Sequence, residues 1–147
     1  MAFLTSLTGR LYLDTNIFIY ALEGYPEFSP VLIKLLEAID QHEIHAVTSE
    51  LTLAEVLVKP LLDRSVERQA AYHQALQPSA SLNVIPVTRD VLIAAAQLRA
   101  QHALKLPDAI HVATAQLTQC ERLLTNDTRL TGIANLEIIL LSQLRLS

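Results

Sequence analysis

The sequence predicts a doubly wound α/β domain, a mainly parallel five-stranded sheet flanked by helices on both faces. Two observations carry this. Five short segments are nearly continuous apolar runs rather than alternating ones, as in strands buried on both faces, and segments with helical spacing of apolar residues separate them. The chain has 147 residues, of which 51% are hydrophobic, enough for one sizeable core. No repeat, low-complexity run or linker divides it, so residues 1–147 read as one domain.

Arg10 to Leu13 is the first strand. It ends in Asp14, and Thr15 to Leu22 continues as a helix carrying Ile17, Phe18 and Ala21, stopped by Gly24-Tyr25-Pro26. Ser29, read as an N-cap ahead of Pro30, opens a second helix whose apolar face holds Val31, Leu32, Leu35, Leu36 and Ile39. Ile44 to Thr48 is the next strand. Ser49 caps a helix over Glu50 to Val58 that is expected to stop at Lys59-Pro60, and Asp63 to Leu76 forms another. Leu82 to Val87 is the third strand, Arg89 to His102 a long amphipathic helix, and Pro107 to Leu117 a helix with proline in its first turn. Arg122 to Thr125 and Leu136 to Leu141 supply the fourth and fifth strands.

Membrane spans and leaders are not expected. The longest apolar runs fall well short of the ~20 residues a span needs, and the first ten residues have no charged region before their apolar ones, so a cytoplasmic location is expected. Cys120 is the one cysteine, which excludes an internal disulfide or a thiolate cluster and leaves a packing role. With charged residues at 18% and a mean hydropathy of +0.32, some apolar surface is expected to be covered by a partner.

In a parallel sheet ligands gather outside the carboxyl ends of the strands. Asp14 comes directly after the first strand, Glu55 lies on the helix launched by the second, Asp108 begins a helix behind Pro107, and Asp127 stands just past the fourth strand. All four can reach one sheet edge. Each also has a plain structural role open to it: Asp14 and Asp127 as helix N-caps, Asp108 as a partner of a helix dipole, Glu55 as a solvated residue. Glu55 fits that role least well, because apolar residues flank it in Leu53-Ala54-Glu55-Val56-Leu57. Together, clustered carboxylates are hard oxygen ligands suited to Mg²⁺ or Mn²⁺, which can activate water for displacement at phosphorus. The net charge of −4 opposes a nucleic-acid substrate unless cations neutralise such a cluster.

Leu11-Tyr12-Leu13-Asp14-Thr15-Asn16-Ile17-Phe18-Ile19-Tyr20 resembles the opening of a PIN domain of the VapC toxin type. In the same order, Thr48 to Glu55, Leu106 to Ala113 and Leu124 to Asp127 resemble the family's second, third and fourth motifs. The resemblance implies a Mg²⁺-dependent endoribonuclease using metal-activated water, with Asp14, Glu55, Asp108 and Asp127 around the cation and Asp14 and Asp108 as its direct ligands. It also implies supporting roles for Asn16, Thr125 and Asn126, an RNA substrate, a small cognate antitoxin that covers the acidic site, and a homodimer formed through apolar helical surface. Arg10, Lys59, Arg89, Lys105 and Arg129 lie near the motif-bearing loops and are candidate phosphate contacts, with solvated surface charge as the alternative for each. A PIN-like module that binds RNA or protein without cutting, or a housekeeping RNA-processing nuclease, would share these features.

Other classes fit poorly. Asn16 stands where an aspartyl-nucleophile phosphatase would want a second aspartate, and three scattered glycines cannot build a dinucleotide-binding turn. No His-Glu-x-x-His pattern occurs among the five histidines. His111, three residues after Asp108, is read as packing or as a supporting hydrogen-bond partner rather than a catalytic group.

Overall fold

The computed structural model describes residues 2–133 and 135–146. Its central sheet has five strands, β2 (Gly9–Leu13), β3 (Ile44–Ser49), β4 (Leu82–Ile85), β5 (Arg122–Thr125) and β6 (Glu137–Leu140). The order is β4-β3-β2-β5-β6 and every pairing is parallel. Two short segments that the apolar pattern does not reveal, β1 (Ala2–Phe3) and β7 (Leu144–Arg145), pair in parallel as a separate ribbon. Two residues per strand are too few for any periodicity to show.

The six helices are α1 (Thr15–Glu23), α2 (Ser29–Asp40), α3 (Glu50–Leu62), α4 (Val66–Ala75), α5 (Arg89–Gln101) and α6 (Leu106–Leu117). They cover both faces of the sheet. On one face Leu11, Leu13, Ile44, Ala46 and Leu124 pack against Ile17 and Phe18 of α1, Leu32 and Leu35 of α2, and Tyr72 of α4. On the other, Tyr12, Val47 and Leu123 meet Val91 and Ala95 of α5 and the run Ala109 to Ala113 of α6. Consecutive residues Leu11, Tyr12 and Leu13 thus enter opposite cores, which is why this strand shows no polar side.

Three local expectations need correction. Ser29 is the first residue of α2 rather than its cap: Phe28 stands in the cap position, and the Ser29 hydroxyl donates back to the Tyr25 carbonyl at 3.0 Å. Helix α3 does not stop at Lys59-Pro60 but continues to Leu62. Proline removes one amide donor from the last turn, yet the terminal carbonyls find others, since Asp63 N donates to Lys59 O and Ser65 N to Pro60 O, each at 2.9 Å. Helix α4 accordingly starts at Val66, capped by Ser65, instead of at Asp63. Gly24 does end α1, in the left-handed conformation at φ 68°, donating its amide to the Tyr20 carbonyl. Among the described residues no helix is long and apolar enough to cross a membrane.

Candidate active site

Asp14 is the residue from which the site grows. It leaves the carboxyl end of β2 in extended conformation and caps α1, and its Oδ1 accepts the Thr15 amide at 2.8 Å. The structural role open to it in the sequence is therefore filled, but it uses one oxygen. Oδ2 accepts the Thr125 hydroxyl at 2.7 Å from the adjacent strand β5. Only 6% of Asp14 is exposed, so both contacts lie away from bulk water.

Thr125 is a junction. While its hydroxyl donates to Asp14, the same oxygen receives the Asn16 amide at 3.3 Å and the Asp127 backbone N–H at 3.0 Å. Asn16 Oδ1 in turn accepts Asn126 N–H at 3.3 Å, and Asn126 Oδ1 accepts Ser142 N–H at 3.1 Å. The three polar residues expected to support the acids, Asn16, Thr125 and Asn126, thus form one connected set joining the first and fourth motifs.

Glu55 reaches the same edge from the second turn of α3. Its Oε1 accepts Thr15 Oγ1 and His111 Nε2, each at 2.7 Å. Burial pushes this carboxyl up, but the hydrogen bonds from His111 and Thr15 outweigh it and hold it below the usual carboxylate range. His111 is 1% exposed; its Nε2 also lies 3.7 Å from Asp14 Oδ1, and its Nδ1 is 2.6 Å from the Tyr12 hydroxyl. Neither spacing nor charge pattern singles out Tyr12 or Thr15 as a site residue. Tyr12 looks like one more apolar strand residue, and only its turn to the face opposite Leu11 and Leu13 brings it to α6.

Asp108, in the first turn of α6, differs from the others. Among the described residues its carboxyl has no hydrogen-bond or ion-pair partner. Burial raises it above the usual carboxylate range, and the neighbouring charges of Asp127 and Asp14 raise it further. Asp127 is held by Arg129, whose Nε and Nη2 reach its two oxygens at 2.9 and 2.7 Å, and this pair holds the Asp127 carboxyl below its usual range. No helix starts at Asp127; it closes a turn by accepting Arg129 N–H at 3.0 Å.

The four acids therefore lie along one edge, Asp14 coupled to Glu55 through Thr15 and His111, and Asp108 coupled by charge to both Asp127 and Asp14. They are not drawn together: among the described residues no three Asp, Glu, His or Cys side chains are grouped closely enough to hold a metal ion. The donor set nonetheless suits a hard cation, being oxygen-rich and including, at Asp108, a carboxyl that its surroundings leave costly to ionise.

The cationic residues divide. Lys105 caps α6 near Asp127, and Arg129 grips Asp127, so both border the acids. Arg89 opens α5 beyond β4, at the carboxyl edge but with β3 between it and Asp14. Lys59 lies one turn beyond Glu55 and pairs with Asp63 at 3.1 Å. Arg10 stands apart: it is near the start of β2, at the amino edge, with its guanidinium beside Cys120 and its Nε buried without a hydrogen-bond partner among the described residues.

A parallel α/β domain with carboxylates at the carboxyl edge of its central strands is the class that fold and site define. The PIN domain family model matches residues 11–136, and the chain belongs to that family. No curated protein matches. Among solved structures, a toxin-antitoxin complex from Klebsiella pneumoniae is 29% identical, with 86% of this chain and 94% of that one covered and a TM-score of 0.64. VapBC2 from Rickettsia felis, bound to a DNA fragment from its promoter, is 19% identical over 88% of this chain and 97% of that one, TM-score 0.70. VapBC-5 from Mycobacterium tuberculosis, a member of the VapBC family of toxin-antitoxin systems, is 24% identical over 89% and 98%, TM-score 0.60. At their identities the last two show the shared fold.

Proposed function

We propose that the protein is a Mg²⁺-dependent endoribonuclease of the VapC type, the toxin of a toxin-antitoxin pair. The observation that carries the reading is Asp108, a carboxyl without a hydrogen-bond or ion-pair partner among the described residues, whose ionisation is opposed by burial and by Asp127 and Asp14. A protein gains nothing in stability from such an arrangement, whereas a divalent cation beside it would relieve the repulsion. Asp14 and Asp108 would hold the ion directly, with Glu55 and Asp127 completing its acidic surroundings; Mn²⁺ would serve as well.

When bound, such a cation activates water and offsets the negative charge that develops at phosphorus during phosphodiester hydrolysis. The chain's own residues prepare the place. Thr125 keeps Asp14 Oδ2 in one orientation, Thr15 and His111 do so for Glu55 Oε1, and Arg129 aligns Asp127. Lys105 and Arg129 border the acids and would meet RNA phosphates there, with Arg89 further along the edge; the positions of Lys59, paired with Asp63, and Arg10, at the opposite edge, give that role less support.

The same reading extends to partners. Similarity to chains in toxin-antitoxin complexes supports a small antitoxin that covers the acidic edge. A homodimer is supported by Val58 and Leu61, each 56% exposed, with Leu62 at 74% and Val66 at 75%, an apolar surface where α3 meets α4. One observation favours a module that binds without cutting, namely that Arg129 already occupies both oxygens of Asp127.

A single comparison decides between these readings. Purified wild type and Asp14→Ala are incubated with RNA in Mg²⁺ and in chelator, and cells expressing each are grown in parallel. The expected result is cleavage and growth arrest by the wild type alone, with cleavage abolished by chelator. Equal behaviour of the two proteins, or of Mg²⁺ and chelator, would overturn the nuclease reading.

A further inference from the structure

Both donors to Glu55 converge on one oxygen. Thr15 Oγ1 and His111 Nε2 each stand 2.7 Å from Oε1, while among the described residues no hydrogen bond reaches Oε2. His111 is itself pinned from behind, with its Nδ1 2.6 Å from the hydroxyl of Tyr12 and the two rings set edge to face at 5.7 Å. Tyr12 is fully buried and His111 nearly so, between β2 and α6. A polar pair in an apolar core is costly unless it is satisfied, and here His111 bridges Tyr12 and Glu55, with Thr15 Oγ1 also 3.2 Å from its Nε2 and Thr48 beside the Tyr12 hydroxyl.

We propose that Tyr12 and His111 form a positioning relay that holds Glu55 Oε1 and so presents Oε2 to the cation. Geometry sets the direction of the hydrogen bonds. Nε2 faces an acceptor, the Glu55 carboxylate, and therefore carries the hydrogen; Nδ1 then has a lone pair and accepts the Tyr12 O–H. A phenolic O–H can donate as well as accept, so the Tyr12 hydroxyl can fill that role. His111 is a positioning residue, since it reaches the site only through Glu55, and Tyr12 acts one step further back. Partners of this kind usually change metal affinity by about 10- to 100-fold when removed.

This inference rests on the reading of Glu55 as one of the cation-holding acids, and the experiment separates the two. Mn²⁺ is titrated calorimetrically into the full-length protein without RNA, for wild type, Glu55→Ala, His111→Leu and His111→Leu/Glu55→Ala, with the melting temperature of each recorded. His111→Gln, whose amide keeps a donor, and Tyr12→Phe, which removes one oxygen, serve as milder variants should His111→Leu fail to fold.

The expected result is that His111→Leu weakens Mn²⁺ binding about tenfold or more, that His111→Gln restores most of it, and that His111→Leu has no further effect once Glu55 is alanine. For Tyr12→Phe a smaller loss in the same direction is expected. Mn²⁺ binding by His111→Leu equal to wild type, or an equal loss in the presence and absence of Glu55, would overturn the relay and leave the metal reading standing. Wild type that binds no Mn²⁺ would remove both.

Discussion

The hydroxyl of Thr125 lies 2.7 Å from Asp14 Oδ2, joining two residues 111 positions apart in the chain. It is possible because β2 and β5 are parallel neighbours, with Leu13 in register with Leu124, so both strands end at the same edge. Removing that hydroxyl leaves a buried carboxylate short of a donor. Thr125→Val is expected to lower the unfolding free energy by about 1–3 kcal/mol and to weaken RNA cleavage, while Thr125→Ser stays close to wild type. Urea unfolding of the three proteins checks this, and a valine variant as stable as wild type would contradict it.

Asp108 makes the opposite prediction. Burial and like charge raise its folded pKa, so the ionised form is disfavoured in the folded state, and the cost disappears as pH falls through that raised value. Asp108→Asn should therefore melt at a higher temperature than wild type at neutral pH in chelator. Adding Mg²⁺ should raise the melting temperature of wild type more than that of the variant, because only the wild type gains the full stabilisation from binding. Scanning fluorimetry with and without Mg²⁺ reads both effects.

Arg129 is exposed, so its pairing with Asp127 governs ionisation more than stability. Arg129→Ala should leave the melting temperature nearly unchanged while the Asp127 carboxyl titrates higher, towards the ordinary aspartate value of about 3.9. The sign is set by the depressed folded value: whatever stability the pair contributes is present above the unfolded pKa and is lost as pH falls through the folded one. Carboxyl carbon shifts tracked by NMR against pH would show the change, and an unmoved midpoint would refute it.

Far from the acids, Tyr72 donates its hydroxyl to Glu23 Oε2 at 2.7 Å, tying α4 to the end of α1. Burial, then the bond to Glu23, raises its folded pKa, so its contribution is fully present below the unfolded value of about 10 and is lost as pH rises through the folded one. The stability advantage of wild type over Tyr72→Phe should accordingly hold to about pH 10 and shrink from there towards about pH 12. Chemical denaturation across that range measures it; an advantage that grows with pH would exclude the assignment.

The legible part of this protein lies in patterns that a chain carries locally. Short, mostly apolar stretches at Ile44 to Thr48 and Arg122 to Thr125 betray strands covered on both faces, and Ser49 shows itself as a cap because Glu50 and a helical run of apolar residues come directly after it. Lys59-Pro60 misleads for a physical reason: a proline in the last turn forfeits only one hydrogen bond, and the helix end is still closed by Asp63 N on the Lys59 carbonyl and Ser65 N on that of Pro60.

By itself, then, the amino-acid order determined a parallel α/β domain and placed Asp14 and Asp127 just beyond strand ends, where buried strands must give way to polar groups, and Glu55 and Asp108 early in helices. Tertiary structure alone decided which oxygen of each acid is engaged: Thr125 on Asp14, His111 and Thr15 on Glu55, Arg129 on Asp127, and among the described residues no hydrogen-bond partner on Asp108. Hydrophobic periodicity specifies which face of a strand or helix is buried. It does not specify the register and rotation that bring Tyr12, on β2, within 2.6 Å of His111, on α6, and hydrogen bonds depend on those to within tenths of an ångström.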